Sequence, residues 1–142
     1  MANVIFRGDT RYPPKTRTRT IKFSGVPGQP VIEVNNEFVV APDNHLNPLI
    51  LNNLDFIGQP LNQPYSIDDS AVAFELREIR MPFQVRAAAG TYSNGDKLVI
   101  SSGVYAVGTS GDMCSMIYSG PNATILANAL IDAETILPTE VA

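Results

Sequence analysis

The sequence predicts an all-β fold: a small β-sandwich or β-barrel of short antiparallel strands with an extended N-terminal arm. Three observations lead there. Short runs rich in Val, Ile, Thr, Tyr and Phe recur along the 142 residues, and such side chains suit a pleated, half-buried surface. The 10 Gly and 11 Pro residues break those runs at close intervals, a spacing that helical bundles do not tolerate. A hydrophobic fraction of 44% against 17% charged residues supports one packed core rather than a disordered chain.

Charge divides the chain. Residues 1–22 carry Arg7, Arg11, Lys15, Arg17, Arg19 and Lys22 against Asp9 alone, a balance of +5, and the remainder carries −9. The domain reading is therefore an extended basic N-terminal arm over 1–23 and a compact β domain over 24–142. An arm of that sign suits an acidic protein surface, including a neighbouring copy of the body, so Arg7, Arg11, Lys15, Arg17 and Arg19 are the candidate partner-binding residues. The acidic body opposes nucleic acid as a partner.

Within the arm, Tyr12-Pro13-Pro14 forces extended backbone. Lys15 to Phe23 then alternates basic and β-branched residues, which puts Lys15, Arg17 and Arg19 on one face of a strand and Thr16, Thr18 and Thr20 on the other. Neither face is apolar, so an edge strand or free arm is expected there and not a core strand. Ser24 to Pro30 is turn-rich. Val31–Val34 and Phe38–Ala41 read as a hairpin across Asn35-Asn36. Residues 42–64, rich in Asn and Pro, read as a long structured loop with one short strand at Leu49–Leu51.

Ala71–Met81 gives the strongest strand signal, with a bulge expected near Arg77-Glu78 and helix as the rival. Pro82 ends either element. Asn94-Gly95 marks a turn, and Lys97–Ser101 pairs with Val104–Val107 across Ser102-Gly103. Met113–Tyr118 is a further strand, Pro121–Ile131 is open between strand and short helix, and the tail from Leu137 to Ala142 is expected to fray.

Chemistry finds little purchase. His45 is the only histidine and Cys114 the only cysteine, far apart, so neither a metal site nor a nucleophile–base pair is expected. No cofactor is expected. Cys114 reads as a buried, inert thiol, and a single cysteine fits a reducing cytoplasm at synthesis. Asp68-Asp69 reads as a solvated turn rather than a catalytic carboxylate pair, and Asp43 and Asp55 lack the spacing of a calcium loop. Gly103, Gly108 and Gly111 precede no long helix, so no phosphate loop is expected. Arg7-Gly8-Asp9 matches the integrin tripeptide, for which an exposed arm is explanation enough. The short Val4-Ile5-Phe6 run gives no secretory signal, and no stretch is long and apolar enough for a membrane helix.

Three stretches resemble the small phage capsid decoration, or cement, proteins. They are Pro27-Gly28-Gln29-Pro30-Val31, then Ala71-Val72-Ala73-Phe74-Glu75-Leu76 through Met81-Pro82-Phe83, and Ala87-Ala88-Ala89-Gly90 followed by Asn94-Gly95-Asp96-Lys97-Leu98-Val99. The likeness covers residues 25–40 and 70–107, and the basic arm and the 42–64 insertion depart from it. It implies a virion structural protein on the capsid exterior, synthesised in the host cytoplasm, bound to the major capsid protein and self-associated as a homotrimer. It implies no catalytic residues. A rival class is a carbohydrate- or receptor-binding β module using Tyr65, Tyr92 and loop Asn residues. A third is a small hydrolase or a nucleotide-binding β-trimer.

Overall fold

The computed structural model describes residues 4–9, 11, 13–54, 58–76 and 78–142. These form twelve strands: β1 (Thr16–Ile21), β2 (Pro30–Val34), β3 (Glu37–Val40), β4 (Leu49–Leu51), β5 (Ser70–Glu75), β6 (Pro82–Ala87), β7 (Gly90–Tyr92), β8 (Lys97–Ser101), β9 (Val104–Val107), β10 (Met113–Tyr118), β11 (Ala123–Ile125) and β12 (Ala129–Glu140). The all-β expectation holds. The architecture is two closed five-stranded barrels, ordered β1-β3-β2-β4-β5 and β10-β12-β6-β9-β8, with β7 and β11 as a separate two-stranded ribbon. Pairing is antiparallel except between β1 and β3 and between β6 and β9, which run parallel.

The hairpins form where local turn chemistry demanded them. Asn35 and Asn36 take φ of 51° and 64° between β2 and β3, and Ser102 and Gly103 take 52° and 82° between β8 and β9. Both central residues then lie at positive φ, which matches the right-handed twist of the strands they join. Three further turns share a device. Asp69, Asp96 and Asp112 each accept a hydrogen bond from the backbone N–H three residues earlier, at Ser66, Ser93 and Thr109. Each Asp returns its own N–H to the carbonyl of that same residue. These reciprocal turns launch β5, β8 and β10.

Strands β4 and β5 form the wall between the barrels, because both of their faces are buried. Leu49, Leu51, Ala71 and Ala73 pack with Ile21, Val31, Phe38 and Tyr65 in the first barrel. On the opposite face Ile50 and Phe74 join Phe83, Val85, Leu98, Ile100, Tyr105, Met116, Tyr118 and Ile131 in the larger cluster. A strand covered on both sides reads as a continuous apolar run rather than an alternation.

Several expectations need correction. The segment read as an edge strand or arm is β1, paired on one side with β5 from Thr16↔Phe74 to Thr20↔Ser70 and on the other with β3. It closes the first barrel, so residues 16–21 belong to the packed body, and the expected arm of 1–23 does not extend through them. Its polar face fits because the interior at that end is ionic, as described below. Ahead of it, Ile5 is 1% exposed and its carbonyl accepts from Gln84 N–H, while Arg7 N–H donates to Pro82 O. Phe6, Phe74 and Phe83 form a triangle of rings with centroids 5.5–6.0 Å apart. The described residues at the start of the chain are thus fastened to both barrels.

Strand β5 stops at Glu75, and Glu78 to Arg80 is bend and turn, with Arg80 at φ 61°. The bulge expected near Arg77-Glu78 falls partly on Arg77, which lies outside the described residues. Pro82 opens β6 rather than merely ending its predecessor: at a first position its missing N–H costs no ladder bond. Pro121–Ile131 resolves as β11, a turn and the start of β12. The tail does not fray before Glu140, which pairs with Met113.

Candidate functional site: the basic segment and the Arg86 cleft

The five basic residues expected to bind a partner divide into two groups. Arg17 and Arg19 share the β1 face that carries Ile21, and Ile21 is buried in the first barrel. Arg17 Nε donates to Glu75 Oε1 at 2.6 Å and its Nη1 to Glu33 Oε1 at 3.1 Å, and Arg19 Nε lies 3.1 Å from the same Glu33 oxygen. The hydrogen bond it donates to Glu75, and behind it the one to Glu33, hold the Arg17 pKa above the ordinary guanidinium value. Arg11 is turned back on Asp9 at 3.0 Å, which lowers the Asp9 pKa. Lys22 meets Asp68 at 2.6 Å and Glu37 at 3.2 Å. Much of the positive charge read as an outward-reaching arm is therefore met by acidic groups of the same chain. Arg7 and Lys15 are exposed and ion-paired with no described residue.

The second polar site was not anticipated. Arg86 is 6% exposed and points away from the second barrel's core, under a cover of loops. Its Nε donates to Pro27 O at 2.8 Å, Nη1 to Asn128 O at 3.0 Å, and Nη2 to Leu61 O at 2.6 Å and Asn62 Oδ1 at 3.2 Å. Burial lowers its pKa, yet a guanidinium stays charged at neutral pH. A cleft of about 410 Å³ opens beside it, lined by Ser24, Val26, Gln29, Asn62, Arg86 and Asn128. Gly28 shapes the wall. At φ 98° it lets the loop pass so closely that a Cβ there would sit 2.8 Å from Leu130 Cδ2 and 3.3 Å from Arg86 Cγ. No sequence signal marked this site, because Arg86 stands alone in an apolar strand and three of its four acceptors are backbone carbonyls.

The remaining candidates are placed as follows. Cys114 is buried and desolvation raises its pKa, as expected of an inert thiol. Asp68 pairs with Lys22 and Asp69 caps its turn, so the two do not act as a pair. Asp43 accepts from Ser102 N–H, and Asp55 lies outside the described residues. Among the described residues no group of three His, Cys, Asp or Glu side chains could hold a metal ion. Among them, too, no helix is long and apolar enough to cross a membrane. In Arg7-Gly8-Asp9 the first residue is tied to Pro82 and the last to Arg11.

Tyr65, Tyr92, Tyr105 and Tyr118 are all buried, which removes them as stacking platforms for a sugar. Tyr12 lies outside the described residues. Desolvation raises the pKa of Tyr92, Tyr105 and Tyr118. In the unfolded chain these phenols ionise near about pH 10, whereas folding holds them neutral above that. Their contribution is therefore fully present below pH 10 and is lost as pH rises beyond it. The expected result is a stability loss that begins at about pH 10, with phenolate absorbance appearing together with loss of the far-ultraviolet β signal. Smooth titration of these three phenols in a folded chain near pH 10 would contradict it.

No protein-family profile matches the chain, and no curated protein matches it.

Proposed function

We propose that the chain is a virion structural protein, a capsid decoration or cement protein. It sits on the outer surface of an icosahedral phage shell, contacts the major capsid protein as a homotrimer and stabilises the shell. It acts by contact and not by catalysis. The observation that carries this reading is a set of large apolar side chains exposed on a body of closed barrels: Leu126 at 80%, Leu137 at 70%, Ile67 at 60% and Ile79 at 53%. Apolar surface left outside a packed core is the usual substrate of protein contact.

The stretches that resemble the family also fall on framework positions. Residues 27–31 lead into β2, residues 71–76 take in all of β5 but Ser70, and residues 94–99 run from the turn begun at Ser93 into β8. Because both barrels are closed, the barrels themselves offer side-chain faces rather than open strand edges for attachment. Arg7 and Lys15 are the expected basic contacts to acidic capsid surface.

Sedimentation with shells built from the major capsid protein tests the reading. The chain should pellet with shells in a saturable ratio, and the same shells should survive a higher temperature when coated. A chain that stays in the supernatant at micromolar concentrations, with shell melting unchanged, would refute it. Equilibrium sedimentation of the free chain checks the trimer separately.

A further inference from the structure

Arg86 is the most buried of the described arginines, and unlike the solvated Arg7 it must have its charge answered from within the protein. Arg11, Arg17, Arg19 and Arg80 are all more exposed, and each lies within 3.3 Å of a carboxylate oxygen. Arg86 has four hydrogen bonds, every one to a neutral oxygen. Among the described residues no carboxylate pairs with it. Carbonyl dipoles soften the cost of burying a cation but do not cancel its charge.

The cleft supplies what a counter-ion needs. A guanidinium has five N–H bonds and Arg86 uses four, which leaves one on Nη1. Asn62 turns its Oδ1 to Arg86, so its amide N–H groups are left for another acceptor. The side-chain amide of Asn128 makes no hydrogen bond to another described residue, and it lines the same cleft. Among the described residues that line it, none is acidic. One positive charge with a few neutral donors matches a singly charged, planar acceptor. A doubly charged phosphate would bring excess negative charge to a chain whose net charge is already −4.

We propose that the Arg86 cleft binds a carboxylate, either the acidic side chain or terminus of a protein, or a free small carboxylate. The assignment stands independently of the virion reading, since it needs only this chain and the anion.

Thermal unfolding of the full chain in sodium acetate against sodium chloride at equal ionic strength provides the test. A ligand held only by the folded state raises the melting temperature, by about 3–6 °C at a tenfold excess over its dissociation constant. Asn62→Asp is the decisive variant. Asn62 is exposed, so the fold tolerates the change, and the new carboxylate would lie on Arg86 as a built-in counter-ion. This variant should melt higher than the parent in chloride and lose the acetate response. Asn128→Gly, which preserves the positive φ of 63°, should weaken the acetate response several-fold.

A capped Gly-Glu-Gly peptide should protect where its Gln counterpart does not. Tighter binding of that peptide than of acetate assigns the site to a protein carboxylate, and the reverse assigns it to a free one. Equal melting in acetate and chloride, an undiminished response in Asn62→Asp, or protection by phosphate but not acetate would overturn the assignment.

Discussion

Removal of residues 2–20 is expected to unfold the chain, not to release a folded body from a dispensable arm. The deletion takes all of β1 but Ile21. With it goes the whole ladder to β5 and the Thr20↔Glu37 pair with β3, so the first barrel opens and β5 is left with an unpaired edge. It also takes Ile5 and Phe6 from the second cluster. Burying side chains of that size is worth about 1.5–3 kcal/mol each, before any strand hydrogen bond is counted. With the lost strand hydrogen bonds added at about 0.5–1.5 kcal/mol each, the loss falls within the roughly 5–15 kcal/mol that holds a typical domain together. The deleted chain should show no cooperative urea transition and poor dispersion of its amide resonances. A milder change isolates the N-terminal clip: Phe6→Ala should cost about 2–4 kcal/mol by lowering the urea midpoint at constant slope. A deletion variant with an unaltered midpoint would show that β1 is not needed to close the barrel.

The same strand explains why the sequence was legible in some places and silent in others. Asn35-Asn36 and Ser102-Gly103 were readable because a two-residue turn is decided by the backbone preferences of the residues in it. Lys15 to Ile21 was not, because the property that decides its fate lies elsewhere in the chain. A strand face of arginines looks unfit for an interior until Glu33 and Glu75 are known to lie against it, and those residues are 16 and 58 positions from Arg17. Pattern along a chain reports polarity but not the partner that neutralises it. Strand β6 was missed for a related reason. Gln84 and Arg86 break its apolar run, yet both are buried because loops cover that outer face. The Arg86 cleft follows from the same covering, as the loops at Pro27, Leu61 and Asn128 converge only in three dimensions.

The ion cluster at the end of the first barrel carries the second large effect. Replacing Arg17 by Met keeps the stem's packing and deletes the charge, which strips Glu75 of its 2.6 Å partner and leaves Glu33 with Arg19. The Glu75 side chain is 10% exposed and that of Glu33 19%, so water compensates little on the acidic side, whereas Arg17 itself is 39% exposed. Breaking a fully buried pair costs about 3–5 kcal/mol, and the partial exposure of Arg17 reduces this to about 2–3 kcal/mol. Lys22→Met removes contacts to Glu37 and Asp68 that are largely open to solvent, and should leave the urea midpoint nearly unchanged. The ordering Arg17 well above Lys22 is the first check, read from urea midpoints. The second is the double variant. If Arg17 and Glu75 act as a pair, Arg17→Met with Glu75→Gln should be more stable than the sum of the single losses predicts, by about 1–2 kcal/mol. Strict additivity would mean that the two side chains merely sit near each other, and that something other than charge pairing holds this polar strand in the barrel wall.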